Sequence, residues 1–120
     1  MAQRIDVSHL QEFLVNFAKE RDWEKFHTPK NLAMALAGEA GELVEIFQWL
    51  TVDESAAIMQ DEENATKVRE ELADILIYAI RMAGILGIDV DRAIWDKMDK
   101  NAKKYPVHLA KGKATKYTDL

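Results

Sequence analysis

Leu36-Ala37-Gly38-Glu39-Ala40-Gly41-Glu42-Leu43-Val44-Glu45-Ile46-Phe47 and, further along, Glu70-Glu71-Leu72-Ala73-Asp74-Ile75-Leu76-Ile77-Tyr78 are the two runs whose periodicity decides the fold. In each, apolar residues return at helical intervals around a pair of carboxylates one turn apart. At roughly 100° per residue, Leu36, Ala40, Leu43, Val44, Phe47 and Leu50 fall on one stripe, with Glu39 at its edge and Glu42 a step further round. Leu72, Ile75, Leu76, Ala79, Ala83 and Leu86 make the second stripe, and Glu71, Asp74 and Tyr78 gather along its flank. Strand alternation is absent from both. The sequence therefore predicts an all-α fold in which two long helices pack through these stripes and bring four carboxylates to one edge of the seam.

Outward from these runs, capping chemistry marks the other elements. Ser8, with Gln11 three residues on, is a plausible start for a first amphipathic helix that carries Leu10, Phe13, Leu14 and Phe17 inward and reaches about Arg21. The stretch from Arg21 to His27 has no clean period and reads as a connector bearing Trp23 and Phe26. Thr28-Pro29 places a hydroxyl at the N-cap and proline at the first helical position, opening a helix to about Leu50. Gly38 and Gly41 are costly inside a helix, and their position around Glu39 predicts close approach of another backbone or of a ligand. Thr51–Asn64 reads as a loop with one short helical piece. Asp61 or Asn64 caps the next helix, Gly87 ends it, Asp89 caps a further helix over about 90–104, and Tyr105-Pro106 stops that one. Residues 107–120 read as an extended basic arm.

With 120 residues, one domain spanning 1–120 is expected. Cysteine is absent, which excludes disulfide frameworks, zinc-thiolate sites and thiol nucleophiles. The opening Met1-Ala2-Gln3-Arg4-Ile5-Asp6 has no apolar run after its basic residue, so a secretory leader is not expected. No segment is apolar enough over the ~20 residues of a membrane span, and the Leu72–Leu86 segment is interrupted by Asp74 and Arg81. A cytoplasmic location with no membrane association is the expectation. The net charge of −5 argues against a general binder of nucleic-acid polymers. Its distribution is uneven: from Glu39 to Asp74 eleven acids face two bases, whereas from Lys97 to Lys116 seven lysines and His108 face one acid. A metal-seeking middle followed by a phosphate-seeking end suits a small polyanion bound through a metal.

Four carboxylates at one seam repel one another unless a counter-charge is present. Oxygen-only ligands favour a hard cation, Mg²⁺ with Mn²⁺ as a substitute, over zinc or copper. Other chemistries fit poorly. Gly-Glu-Ala-Gly-Glu lacks the lysine and hydroxyl of a phosphate-binding loop, the three histidines are too scattered for zinc, and the residues three after Glu39, Glu42 and Glu71 are acidic where a di-iron centre would carry histidine. Metal-assisted hydrolysis of a phosphate ester or anhydride remains, with the lysines offsetting charge on distal phosphates. A rival reading from another class is a non-catalytic helical interaction module whose acidic face binds a basic partner.

The motifs also carry a family likeness. Glu39-x-x-Glu42, a spacer, and Glu71-x-x-Asp74 resemble the all-α nucleoside triphosphate pyrophosphohydrolases of the MazG-like type. Arg21-Asp22-Trp23-Glu24, Phe26-His27, Phe47-Gln48-Trp49, Asp74-Ile75-Leu76-Ile77-Tyr78, Lys97-Met98-Asp99, Asn101, Tyr105-Pro106 and Lys116-Tyr117-Thr118 are similar to the dCTP pyrophosphatase subgroup over nearly the whole chain. The resemblance implies a four-to-five-helix bundle completed by oligomerisation, as a tetramer with sites shared between chains. It implies hydrolysis of dCTP, and of 5-modified dCTP, between the α and β phosphates to dCMP and pyrophosphate, a role in nucleotide-pool sanitation. Glu39, Glu42, Glu71 and Asp74 would hold Mg²⁺; Trp23 and Trp49 would line the base pocket, Tyr78, Lys97 and Asn101 would contact the sugar or phosphates, and His27 would also bind substrate. One position departs from the pattern: Leu14 stands where a mammalian relative carries histidine near the base, which bears on base preference, so that another nucleoside triphosphate is the alternative substrate.

Overall fold

The computed structural model describes residues 4–120, and every regular element in it is helical. The leader reading rests partly on Met1–Gln3, which lie outside the described residues. The α-helices are α1 (Val7–Glu20), α2 (Pro29–Phe47), α3 (Val52–Ala56), α4 (Glu62–Leu86), α5 (Val90–Lys104) and α6 (Val107–Ala110), with short 3-10 turns at Glu24–Phe26, Ile58–Gln60 and Tyr117–Asp119. The all-α expectation is met. By internal contacts the chain divides into two compact units, Met1–Gly87 and Ile88–Leu120. Among the described residues no helix is long and apolar enough to cross a membrane.

In the first unit, α2 lies along α4 as the most extensive helix contact and α1 packs on α4 beside it. The caps explain where these helices begin. Asp6, rather than Ser8, caps α1, its Oδ1 accepting from the His9 N–H at 3.2 Å; a carboxylate at the positive end of a helix outcompetes a hydroxyl two residues inside it. Thr28 Oγ1 accepts from the Asn31 N–H, with Pro29 at the first helical position, as the sequence predicts. The short helical piece expected within Thr51–Asn64 is α3, fixed by reciprocal bonds: the Glu54 N–H donates to Thr51 Oγ1 at 3.1 Å and the Thr51 N–H to Glu54 Oε1 at 2.8 Å. Asp61 caps α4 and Gly87 ends it at φ 67°, a left-handed conformation that glycine adopts without steric cost.

The packing register departs from the expected stripes. On α2 the side turned inward carries Leu32, Ala35, Leu36, Glu39, Leu43, Ile46 and Phe47, with Leu50 in the turn after it, while Ala40 and Val44 face outward. On α4 it carries Asn64, Val68, Glu71, Ile75, Tyr78 and Met82, while Leu72 and Leu76 remain 48% and 51% exposed. Each helix is therefore rotated relative to the reading from periodicity, because each bears apolar residues on two sides. The rotation moves Glu39 and Glu71 from the edge of the seam to its middle. Gly38 and Gly41 are exposed, and beyond their own helix no described atom lies within 4 Å of a β-carbon placed on either, so no other backbone among the described residues makes the expected close approach.

The connector after α1 is more ordered than its aperiodic sequence implies. The Trp23 N–H donates to Ala18 O at 2.9 Å and the Asp22 N–H to Lys19 O at 3.1 Å, the paired bonds of a Schellman ending. Asp22 takes the left-handed position at φ 54°. The ending turns Trp23 back onto α1, its ring 5.9 Å from that of Phe17 in an edge-on arrangement. The Arg21 guanidinium stacks over the same Phe17 ring, 3.5 Å from its centroid.

In the second unit, Asp89 caps α5 through the Arg92 N–H and Tyr105 closes it, both as the sequence predicts. Residues 107–120, expected as an extended arm, instead hold α6 and the Tyr117–Asp119 turn. The Tyr117 ring lies 6.0 Å from that of Tyr105 and the Lys104 ammonium sits 4.7 Å above it, which draws the segment back onto the end of α5.

The left-handed Asp22 yields a direct expectation. Replacing it with valine, whose branched side chain tolerates that conformation poorly, lowers stability by about 1–2 kcal/mol and loosens Trp23, as read by urea unfolding and near-ultraviolet dichroism. An unchanged midpoint would show that the Schellman ending does not hold the connector.

Candidate functional site

Glu39 and Glu42 come from α2 and Glu71 from α4, and each offers one carboxylate oxygen to a group lying within 4.8 Å of one another. Two of these side chains have a buried oxygen without a hydrogen-bond partner, Oε2 of Glu39 and Oε2 of Glu71. An ionised oxygen removed from water without a donor is strongly unfavourable. Chemistry supplies two remedies, a shared proton or a bound cation. Without a cation the shared proton prevails: hydrogen bonding to Glu71 and then to Glu42, followed by burial and the repulsion of both neighbours, pushes the Glu39 carboxyl up to about 7. For Glu71 the hydrogen bond with Glu39 acts downward, but burial, Glu42 and the charge of Asp74 outweigh it, and its pKa is also raised. The orphaned oxygens and an all-oxygen donor set fit a hard divalent cation.

Asp74, one turn beyond Glu71, is not among the three converging carboxylates. It lines an adjoining pocket of about 340 Å³ walled by Leu10, Phe13, Leu14 and Phe17 of α1, Trp23 and His27 of the connector, and Ile77, Tyr78 and Arg81 of α4. On the other side of the cluster a more open polar cleft of about 530 Å³ is lined by Glu42, Glu45, Ile46, Asn64, Lys67 and Glu71. Glu71 and Asp74 therefore stand at the boundary between an aromatic pocket and a polar groove. An aromatic slot beside a carboxylate cluster, followed by a groove bearing a lysine, can hold a flat ring at one end and an anionic chain at the other.

Of the residues singled out in the sequence, Trp23, His27, Tyr78 and Asp74 share the aromatic pocket, and Glu39, Glu42 and Glu71 share the cluster. Trp49 does not line the pocket; it is 86% exposed. Lys97 and Asn101 stand one turn apart on α5, in the second unit. Sequence reasoning missed Arg81, which is 92% removed from solvent by its 8% exposure and donates from Nε to His27 Nδ1 at 3.1 Å. Burial first, and the Arg81 charge second, lower the His27 pKa, so the imidazole is neutral and accepts at Nδ1. The missed signal was spacing: Asp74, Tyr78 and Arg81 follow at i, i+4 and i+7 on one side of α4. Phe13, Phe17 and Lys67 were likewise visible only as core or surface residues.

The MazG-like family model matches residues 35–120, the part of the chain that carries both carboxylate pairs, and this chain belongs to the MazG-like family. Among curated relatives it is similar to dCTP pyrophosphatase 1 of Rattus norvegicus, 49% identical over 95% of this chain and 67% of that protein, and to dCTP pyrophosphatase 1 of Homo sapiens, 46% identical over 95% and 67%. A crystal structure of a pyrophosphatase from Archaeoglobus fulgidus superposes with a TM-score of 0.77 at 38% identity, covering 88% of this chain and 97% of that one. The chain is accordingly a nucleotide pyrophosphatase hydrolase of an all-α family.

The shared proton links stability to pH with a definite sign. Glu39 titrates near 7 in the folded chain against 4.5 ordinarily, so the folded state binds the proton more tightly and, without a cation, stability falls as pH rises through that interval. In chelator the melting temperature is expected to drop between pH 5 and pH 8, and millimolar divalent cation to restore it at pH 8 while acting weakly at pH 5. A cation effect of equal size at both pH values would contradict a site at these carboxylates.

Proposed function

We propose that this chain is a Mg²⁺-dependent hydrolase that cleaves dCTP, and 5-modified dCTP, between the α and β phosphates to dCMP and pyrophosphate. The observation that carries the reading is the pair of buried, unpartnered carboxylate oxygens of Glu39 and Glu71, set between an aromatic pocket and a polar cleft. The names of the relatives supply the substrate. Glu39, Glu42, Glu71 and Asp74 are the residues that would hold Mg²⁺, or Mn²⁺ in its place. The ion would supply Lewis-acid stabilisation of charge on the phosphate oxygens.

The rest follows from the side chains. Trp23 and Tyr78 enclose the base, and His27, neutral and fixed by Arg81, presents its Nε2–H within the same pocket. Lys67, in the polar cleft, offsets charge on the departing pyrophosphate, with Lys97 and Asn101 contacting sugar or phosphates. Removal of a proton from the attacking water falls to a carboxylate oxygen of the cluster, ionised when the shared proton is displaced. The exposed apolar residues Val44, Trp49, Leu72 and Leu76 support assembly into a homotetramer, in which Trp49 reaches the base pocket of a neighbouring subunit. The whole chain, 1–120, works as one domain in nucleotide-pool sanitation in the cytoplasm, with no nucleic-acid polymer or membrane as partner. Leu14, apolar within the base pocket, favours the second reading, the same reaction on another nucleoside triphosphate.

Product analysis of the purified protein with Mg²⁺ and a panel of ribo- and deoxynucleoside triphosphates, including 5-methyl-dCTP, is expected to show monophosphate and pyrophosphate from the cytosine deoxynucleotides. Glu71→Ala is expected to lower turnover by about 100-fold or more while the helical dichroism is retained. Normal turnover in that variant contradicts the four-carboxylate site. A folded, metal-replete protein that cleaves no triphosphate instead points to the acidic face as a binding surface.

A further inference from the structure

Arg81 is, among the described residues, the buried charged side chain of this chain, and the mechanism above uses it only to hold His27. Its described hydrogen bond runs from Nε to His27 Nδ1, and no carboxylate among the described residues forms an ion pair with it. A guanidinium has five N–H donors in a planar fork. One is engaged by His27, which leaves the two terminal amino groups without a described partner on a residue that is 8% exposed and lines a pocket whose other walls, Asp74 apart, are largely aromatic and aliphatic. Burying a cation in such a place is unfavourable unless acceptors reach it. The chain holds the guanidinium in place nonetheless: His27 is packed against Trp23, ring centroids 6.2 Å apart, and Trp23 is set by the Schellman ending of α1.

We propose that Arg81 is the base-reading residue of this pocket, its terminal amino groups donating to the adjacent acceptors O2 and N3 of a cytosine ring enclosed by Trp23 and Tyr78. The assignment rests on the reading of the pocket as the base site. Its chemistry is selective. Cytosine presents two neighbouring acceptors on its pairing edge, which match the fork. Uracil and thymine place an N3–H donor between their carbonyls, which would face the guanidinium donor to donor. Guanine presents an acceptor pair at O6 and N7, on a bicyclic ring. The stripe along α4 then runs in order from Glu71 and Asp74 at the phosphate end, through Tyr78 at the ring, to Arg81 at the base edge.

The test is calorimetric titration of dCMP, dTMP and dGMP into the full chain, as wild type, Arg81→Met and Arg81→Lys, with melting temperatures for each. Wild type is expected to prefer dCMP over dTMP by about 10-fold or more, the scale of one bidentate contact. Arg81→Met should bring the two within about twofold, mainly by weakening dCMP. Arg81→Lys keeps the charge without the fork and should lose most of the preference, so a folding defect in one variant leaves the other decisive. Undiminished dCMP preference in both folded variants, absence of any preference in wild type, or a preference for dGMP overturns the assignment. These outcomes are separable from the hydrolase reading: cleavage of dCTP with an unchanged base preference in Arg81→Met sinks only the role of Arg81. Conversely, an Arg81-dependent dCMP preference in a protein that cleaves nothing sinks only the reaction.

Discussion

Glu39 and Glu71 face each other from the middle of the α2–α4 seam, where an ordinary helical pair would place leucines. Their buried oxygens have no donor among the described residues, so the most extensive helix contact in the first unit is also its least satisfied one. Such an arrangement is stable only with a proton or a cation between the helices. Dependence on an external positive charge thus links packing to function: the charge that completes the seam is the one a phosphate substrate needs. A leucine pair at these positions would strengthen the packing and remove the site.

The long helix α4 sets the order of chemistry along the site. Its inward stripe carries Glu71, Asp74, Tyr78 and Arg81 at successive turns, so acidic, aromatic and basic groups follow one another on a single rigid element. The opposing wall of the aromatic pocket comes from α1 and the connector. That wall precedes the residues matched by the family model, whereas the carboxylates lie within them. The division agrees with the proposal of a metal site at the carboxylates and a separately built base pocket, walled by Phe13, Leu14, Phe17, Trp23 and His27.

Much of this was legible in the sequence because its cause is local. Thr28-Pro29, Asp61, Gly87 and Asp89 act through their own backbone neighbours, and the helices begin and end where they stand. The carboxylate pairs were visible by spacing. The rotation of α2 and α4 was not, since both helices are apolar on two sides and periodicity alone does not rank Val44 against Ile46, or Leu72 against Val68. Asp22 escaped notice because a non-glycine left-handed ending leaves little compositional trace. Arg81 was read as a charge interrupting an apolar run, and only the tertiary contact with His27 makes it a pocket residue.

Whether a divalent cation sits between α2 and α4 is tested most directly by crystallographic anomalous scattering from Mn²⁺, with a non-hydrolysable dCTP analogue present. The predicted result is an anomalous peak bonded by oxygens of Glu39, Glu42 and Glu71, at distances of about 2.0–2.2 Å typical of small hard cations. The contradicting result is a nucleotide-bound structure in which Mn²⁺ lies elsewhere and Glu39 and Glu71 still share a proton across the seam.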